Sequence, residues 1–261
     1  GGVYASDLRL QFYTRYHQEA HNEICSMAAD ADGFLWWTGF HSGMMRSREP
    51  FSPNARMSFE PIPNQAGKTA LSVARDGEDN LWFGGRDGML TCYRAATRSY
   101  ISYPVVFGGD NTWRGEIWSI YTEDSGKIWL GTTNGLLVFD QETKKFNRIR
   151  GSFRSIRAII RGDGNHIWLG TYDGLMKFSP GENKITDKGF EERKGLNARE
   201  VRSLLASTDN RIYVGYSSGL GILNPANGEI EHFYTTRDGL CSNFIGCITE
   251  DASNDIWLGT N

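Results

Sequence analysis

Apolar and polar positions alternate in short runs along this chain, and one hydrophobic pattern recurs six times. Each copy has an aromatic residue, one or two apolar or small residues, and then a glycine. The successive aromatics are 46, 47, 39, 45 and 44 residues apart. A period of roughly 20–50 residues indicates a repeat architecture, here starting from Trp36, Trp82, Trp129, Trp168, Tyr213 and Trp257.

The third copy, residues 116–149, shows what one repeat contains. Its apolar runs alternate with turn signals such as Ser125-Gly126 and Asn134-Gly135. Glycine accepts a positive φ, and asparagine and serine bond to their own backbone, so these pairs favour tight turns. We predict four short strands, at residues 117–121, 128–131, 136–139 and 145–149. Four antiparallel strands in about 44 residues are typical of one β-propeller blade.

The sequence therefore predicts an all-β fold, a β-propeller of four-stranded antiparallel blades with about six repeats present. A β-helix would have a much shorter repeat, and helical repeats would show a period of about 3.6 residues. Residues 11–15 resemble residues 232–236, so we expect an unaccompanied outer strand at about 10–16. Five full blades are predicted at about 23–234 and a partial sixth blade at 244–261. We expect residues 1–261 to be a propeller fragment of a longer chain whose ring has seven blades.

Composition narrows the possible partners and cofactors. The net charge is −3 and the basic residues are scattered, which argues against a nucleic-acid partner. Cys25, Cys92, Cys241 and Cys247 lack metal-ligand spacing, so we expect neither a metal site nor a disulfide framework. Acidic turn residues do not recur in a fixed phase in this interpretation, so we expect them to form turns and not to bind calcium. No cofactor is expected.

The repeat consensus resembles a known family. It is Val/Ile-x-x-Ile-x-x-Asp/Glu-x-x-Gly/Asn-x-Ile-Trp-Leu-Gly-Thr-x-x-Gly-Leu, best matched by residues 117–139, 156–178 and 245–260. This pattern is similar to the two-component regulator propeller repeat. The resemblance implies a periplasmic, extracytoplasmic sensor region of a membrane-bound hybrid histidine kinase, often responsive to glycan breakdown products. It implies no enzyme activity for this region, and partners in the remaining blades and the membrane and kinase parts of the same chain. A homodimer is left open.

Ligand contacts are expected in the loops that join one blade to the next and in the hairpins between second and third strands. Loops on a rigid scaffold commonly carry function. Aromatic rings can stack on a sugar, while planar polar groups bind its hydroxyls or a carboxylate. Repeated tryptophans are expected to pack between blades, whereas residues that break the repeat are candidates for binding a small molecule or oligosaccharide. These candidates are His41, Arg86, Asp87, Trp113, Arg114, Arg154, Tyr172, Arg199 and Tyr216.

Two alternatives remain open at this point. The first is a propeller lyase of the streptogramin-lyase type, in which His41 would act as a base with a glutamate, a second histidine and a divalent ion. The second is a protein-interaction scaffold. The chain has no Gly-x-Ser-x-Gly nucleophile motif.

Overall fold

The computed structural model describes residues 24–40, 42–52, 57–62, 69–106, 115–151 and 153–260. Within these residues the chain forms five four-stranded antiparallel sheets and one two-stranded sheet, which we number as blades 1 to 6. The all-β propeller prediction is confirmed. The outer strand predicted at about 10–16 lies outside the described residues.

The strands follow one another in chain order within each blade. Blade 1 contains β1 (Ile24–Ala29), β2 (Leu35–Gly39), β3 (Gly43–Ser47) and β4 (Phe59–Pro61). Blade 2 contains β5 (Ala70–Arg75), β6 (Leu81–Gly85), β7 (Met89–Arg94) and β8 (Ser99–Pro104). Blade 3 contains β9 (Ile117–Thr122), β10 (Lys127–Thr132), β11 (Gly135–Asp140) and β12 (Lys145–Arg148).

The remaining blades repeat this plan with one insertion. Blade 4 contains β13 (Ile156–Arg161), β14 (Ile167–Thr171), β15 (Gly174–Ser179) and β16 (Lys184–Lys188). A one-turn helix, α1 (Phe190–Arg193), then precedes β17 (Val201–Ala206), β18 (Ile212–Tyr216), β19 (Leu220–Asn224) and β20 (Glu229–Tyr234) of blade 5. A 3-10 turn (Thr236–Asp238) leads to β21 (Ile245–Glu250) and β22 (Ile256–Thr260) of blade 6.

The first strand of each blade is the inner strand and packs beside the inner strand of the next blade. Serine side chains join several of these neighbours. Ser72 Oγ donates a hydrogen bond to the Ile117 carbonyl at 3.1 Å, and Ser203 Oγ donates to the Ile245 carbonyl at 3.3 Å. Gly131, a glycine of the repeated motif, makes the close approach feasible. A Cβ atom there would lie 2.7 Å from Ile156 Cγ2 and 2.8 Å from its carbonyl oxygen.

The hydrophobic core lies between blades, where the repeated tryptophans pack as predicted. Trp36 of blade 1 lies 6.0 Å from Phe83 of blade 2, measured between ring centroids, and Trp82 lies 5.7 Å from Phe139 of blade 3. Trp129 lies 6.0 Å from Phe178 of blade 4. Fully burying such rings removes large apolar areas from water, so each interface is a major source of stability.

An acidic residue six positions before the aromatic accepts a hydrogen bond from the indole in four blades. Trp36 Nε1 donates to Asp30 at 2.8 Å, and Trp82 Nε1 donates to Asp76 at 2.8 Å. The expectation that acidic turn residues lack a fixed phase was therefore wrong. Their spacing recurs because a buried indole N–H requires an acceptor. The other two pairs are Glu123–Trp129 at 2.8 Å and Asp251–Trp257 at 2.7 Å.

Blade 4 departs from this arrangement. Position 162 is glycine, and Trp168 Nε1 is buried without a hydrogen-bond partner among the described residues. A Cβ atom at Gly162 would lie 2.9 Å from the indole nitrogen. The tryptophan of this blade is therefore held without an indole hydrogen bond, by packing that includes a ring contact of 5.2 Å with Phe190 of α1 and by the Lys177 ammonium 5.3 Å from its ring centroid.

Candidate functional site

Each inner strand begins on the same face of the propeller as the hairpin between the second and third strands. The Thr133 amide donates to the Glu116 carbonyl at 3.1 Å, and the Ser217 amide donates to the Glu200 carbonyl at 3.1 Å. The Arg86 amide likewise donates to the Thr69 carbonyl at 2.8 Å. We call this surface the hairpin face. It gathers loops from consecutive blades and contains all the predicted site residues that are described, except the buried Tyr216.

Arg154 and Tyr172 are brought together on the hairpin face. The Arg154 guanidinium lies 4.7 Å from the centroid of the Tyr172 ring and donates to the Asp173 carboxylate at 2.9 Å. Tyr172 is 46% exposed, whereas the aromatic residues between the blades are buried. These residues border a cavity of about 450 Å³ between blades 3 and 4. Its other walls are Thr133, Asn134, Arg148, Phe153 and Ser155.

Arg86 and Asp87 occupy the corresponding hairpin of blade 2. Arg86 Nε donates to Glu116 at 2.5 Å, and its guanidinium lies 4.5 Å from the Phe40 ring centroid. Asp87 accepts a hydrogen bond from the Met89 amide at 3.2 Å, which holds the turn. Both side chains are exposed. Arg86 therefore connects three consecutive blades, while the observed contact of Asp87 is local.

The other predicted residues are placed differently. Tyr216 is fully buried, and its hydroxyl donates to Glu191 Oε1 at 2.9 Å. Its side chain is thus part of the core between blades 4 and 5 and presents no surface to a ligand here. Arg199 is exposed just before β17. His41, Trp113 and Arg114 lie outside the described residues.

Burial also perturbs the acid that meets Tyr216. Glu191 is 4% exposed and accepts hydrogen bonds from both Tyr216 and the Leu175 amide, the latter at 2.9 Å. Burial, the largest influence, raises the pKa of Glu191 despite these donors. Burial and the neighbouring Glu191 carboxylate together raise the pKa of Tyr216 well above its ordinary value. Both effects are consistent with a structural role for this pair.

Sequence reasoning missed part of the hairpin face that a β-bulge creates. In every blade, the pairing of the inner strand shifts register at its second residue. A bulge leaves one residue unpaired and redirects its side chain. The six bulged residues share one position in the repeat but differ in chemistry. They are Cys25, Leu71, Trp118, Arg157, Arg202 and Gly246.

Two of these bulged residues are arginines stacked on aromatic rings. The Arg157 guanidinium lies 3.6 Å from the centroid of the Trp118 ring, and the Arg202 guanidinium lies 4.8 Å from that of Phe244. Arg202 also pairs with Glu200 at 3.0 Å. The signal that could have found them is variation in residue type at one repeat position, since a packing role would favour similar residues in every copy.

The described residues contain no group of three or more His, Cys, Asp or Glu side chains placed to hold a metal ion. His41, on which the lyase alternative depends, is not among them. No helix in the described part of the chain is long and apolar enough to cross a membrane.

Solved structures with a similar fold include extracellular domains and a lyase. The extracellular domain of a putative hybrid two component system from B. thetaiotaomicron matches with a TM-score of 0.74 and 22% identity, over 93% of this chain and 32% of that domain. The extracellular domain of a putative one component system from the same organism matches with a TM-score of 0.71 and 20% identity, over 96% and 33%. A catalytically inactive virginiamycin B lyase from Staphylococcus aureus matches with a TM-score of 0.71 and 14% identity, over 91% and 77%.

These similarities show the fold, and this chain spans about a third of the length of the two extracellular domains. Among the curated proteins, no sequence matches the chain. The family model described as two component regulator propeller matches residues 227–261, which include the end of blade 5 and all of β21 and β22. Residues 227–261 therefore match the two component regulator propeller repeat, and the chain has a β-propeller fold similar to that of the extracellular domain of a putative hybrid two component system.

Proposed function

We propose that this chain is part of the periplasmic, ligand-sensing propeller of a membrane-bound hybrid two-component sensor, and that it binds an oligosaccharide on the hairpin face. The cavity beside Tyr172 carries the proposal. An exposed ring offers a flat apolar surface for the C–H face of a sugar. Arg154 and Asp173 lie next to it and offer a charged donor and acceptors for hydroxyl groups.

The comparisons support the sensor part of this proposal. The matching family model is named for two-component regulators. Structures similar over more than nine-tenths of this chain are the extracellular domains of a putative hybrid two component system and of a putative one component system. Signal transmission would require the remainder of a longer chain, including a membrane segment and a kinase. In this scheme the propeller region itself is a binding module without enzyme activity.

Exposed apolar surface at the first and last blades supports further blades in the same ring. Trp257 of blade 6 is 36% exposed, whereas Trp36, in the same repeat position, is 1% exposed. Ile24 and Met27 of β1 are 55% and 49% exposed. Large apolar side chains left together at a surface indicate a contact site. We propose that neighbouring blades of the seven-bladed ring predicted from the repeat cover them.

Isothermal titration of the complete extracytoplasmic region against a panel of neutral and acidic oligosaccharides tests the binding function. Tyr172→Ala should lower the affinity for the sugar that binds by about 3- to 10-fold, which corresponds to the loss of one aromatic contact. Phe51→Ala is the matched control. Phe51 is 55% exposed, and its amide bonds to the Gly33 carbonyl in the first turn of blade 1, on the opposite face. Absence of binding to any glycan, with specific capture of a protein partner, would favour the scaffold function instead.

The lyase alternative has its own test. It requires Mg²⁺-dependent cleavage of a streptogramin that is lost in His41→Ala. Turnover that persists in a chelator, or no turnover at all, would remove that alternative and leave the sensor proposal standing.

A further inference from the structure

The bulged residue Arg157 lies on the hairpin face without a carboxylate partner among the described residues. Arg86 is paired with Glu116 at 2.5 Å and Arg202 with Glu200 at 3.0 Å. Arg157 lies near both glutamates but has no ion pair or hydrogen bond to any described residue. Both glutamates near Arg157 are therefore already paired with another arginine, and Arg157 has no carboxylate of its own among the described residues.

Arg157 is also partly withdrawn from water. Its guanidinium carbon lies over the Trp118 ring, 3.6 Å from the centroid, and its Nε atom is buried without a hydrogen-bond partner in the described part of the chain. The Nε atom of Arg202 is buried in the same way. Burying a charged donor without a partner is unfavourable, because the lost hydration is not replaced.

The same surroundings change the pKa of Arg157. Burial, followed by repulsion from the Arg202 guanidinium, lowers the pKa of Arg157. The attraction of Glu200 and Glu116 opposes this effect without cancelling it. Arginine stays protonated at neutral pH even so. An anion placed beside Arg157 and Arg202 would relieve both the repulsion and the lack of partners.

We propose that Arg157, with Arg202 beside it, binds an oxyanion, either a carboxylate or a sulfate, carried by the ligand. The planar guanidinium has paired donors that match both groups, and stacking on Trp118 and Phe244 holds the two planes in place. The site is built by the inner strands of blades 4 and 5 with rings from blade 3 and from the segment before blade 6. This inference rests on the proposed ligand-binding function and narrows its ligand to an acidic or sulfated saccharide.

Nuclear magnetic resonance of the arginine Nε–H groups in the complete extracytoplasmic region tests the anion site without a known sugar. Sodium acetate and sodium sulfate are titrated separately, with sodium chloride at matched ionic strength as the reference. The Arg157 signal, assigned by its loss in Arg157→Met, should shift and saturate with at least one of the two oxyanions, and the responding salt distinguishes carboxylate from sulfate. Arg161 lies at the far end of the same strand, so its signal is the internal control and should follow chloride. A linear shift equal to that of Arg161 with both salts would overturn the proposal.

Saccharide titrations then separate this inference from the proposed function. Tetragalacturonic acid and a chondroitin sulfate tetrasaccharide are compared with the neutral galactotetraose. Arg157→Met should lower the affinity for the acidic or sulfated sugar by about 10- to 100-fold, as expected for the loss of a charge-assisted hydrogen bond. It should leave any neutral sugar unchanged, and Arg157→Lys should be intermediate because lysine lacks the planar fork. Arg161→Met, on the opposite face, should have no effect.

The possible failures are distinguishable. Equal binding of neutral and acidic sugars by wild type and Arg157→Met would overturn the anion site and leave the glycan function intact. Saturable binding of acetate or sulfate without binding of any saccharide would support the anion site while overturning the glycan function. Loss of binding in Arg157→Met together with a lowered unfolding midpoint would indicate a structural role, and Arg202→Met then provides the second test. If Arg202→Met retains the wild-type midpoint and full affinity for the oxyanion, the proposal is wrong.

Discussion

Replacing Asp76 by alanine tests whether the buried indole acceptor stabilises a blade. The carboxylate accepts from Trp82 Nε1 at 2.8 Å, from the Asn80 amide at 2.9 Å and from the Glu78 amide at 3.0 Å. Trp82 is 2% exposed, so water cannot replace the lost acceptor without disturbing the interface with blade 3. The substitution therefore leaves a buried donor unsatisfied and removes the side chain that organises the turn.

The expected loss follows from these contacts. An unsatisfied buried donor costs about 1–3 kcal/mol, and each of the two lost turn bonds about 0.5–1.5 kcal/mol, so the total should be about 2–6 kcal/mol. For a chain of 261 residues, an unfolding entropy of about 2.1 cal/mol/K per residue gives a Tm lower by about 5 °C for 3 kcal/mol. Urea unfolding followed by circular dichroism measures the change, with the m-value compared between variants.

Asp251→Ala is the matched control because blade 6 repeats the same chemistry at the surface. Asp251 accepts from Trp257 Nε1 at 2.7 Å and from the Ser253 and Asp255 amides at 2.8 and 3.0 Å. Trp257 is 36% exposed, so water can satisfy the indole after the substitution. We expect its urea midpoint to remain close to the wild-type value. Equal losses for the two variants would refute the argument that burial of the indole sets the energy.

Three further predictions concern packing, pH and thiol reactivity. Gly131→Ala should destabilise by about 1–3 kcal/mol, because its Cβ would lie 2.8 Å from a carbonyl of the next blade; Gly77→Ala, with 3.8 Å of clearance, should have little effect on the urea midpoint. Burial raises the pKa of Glu191 above 4.5 in the folded chain. The stability that the protonated carboxyl contributes is therefore fully present below pH 4.5 and is lost as the pH rises through the folded-state pKa of Glu191. Glu191→Gln should therefore raise the urea midpoint at pH 8 and change it little at pH 4, and a constant difference across this range would contradict the reasoning. Burial raises the pKa of Cys92 to about 12, so a thiol reagent should modify only the three exposed cysteines in the native chain and Cys92 after unfolding. Cys92→Ser should remove only the thiol that reacts after unfolding. Rapid reaction of all four thiols in the native chain would contradict the buried placement of Cys92.

The propeller could be predicted from the sequence because its determinants are local and repeated. A strand of four to six residues needs only alternating apolar positions, and each turn needs only a glycine, asparagine or aspartate at one place. Six copies of the same signal made the positions of the strands and the spacing of the blades visible without any knowledge of long-range contacts. The inter-blade role of Trp36 and its counterparts followed from the repetition, since identical positions in a closed arrangement meet identical neighbours.

The candidate site was predicted only where two exposed loop positions of the hairpin face lie in contact. Arg154 and Tyr172 do lie together, because the hairpin of blade 4 folds back over the start of its own inner strand. Tyr216 ends β18 and occupies the repeat position of Thr132 and Thr171, which are also fully buried. Helix α1 has no counterpart in the other described blades, so a comparison of repeats could indicate the burial of Tyr216 but not its hydrogen bond to Glu191.

The sequence by itself determined the strands, the turns and the blade-by-blade order, because these depend on residues within about ten positions of one another. The tertiary structure decided which residues from different blades share a surface. Arg157 and Trp118 are 39 positions apart, and Arg202 and Phe244 are 42 apart, yet a bulge in each inner strand and the packing of successive blades place each pair in contact. Charge balance on the hairpin face is a property of that packing, since a guanidinium is unpaired only with respect to neighbours that the fold supplies.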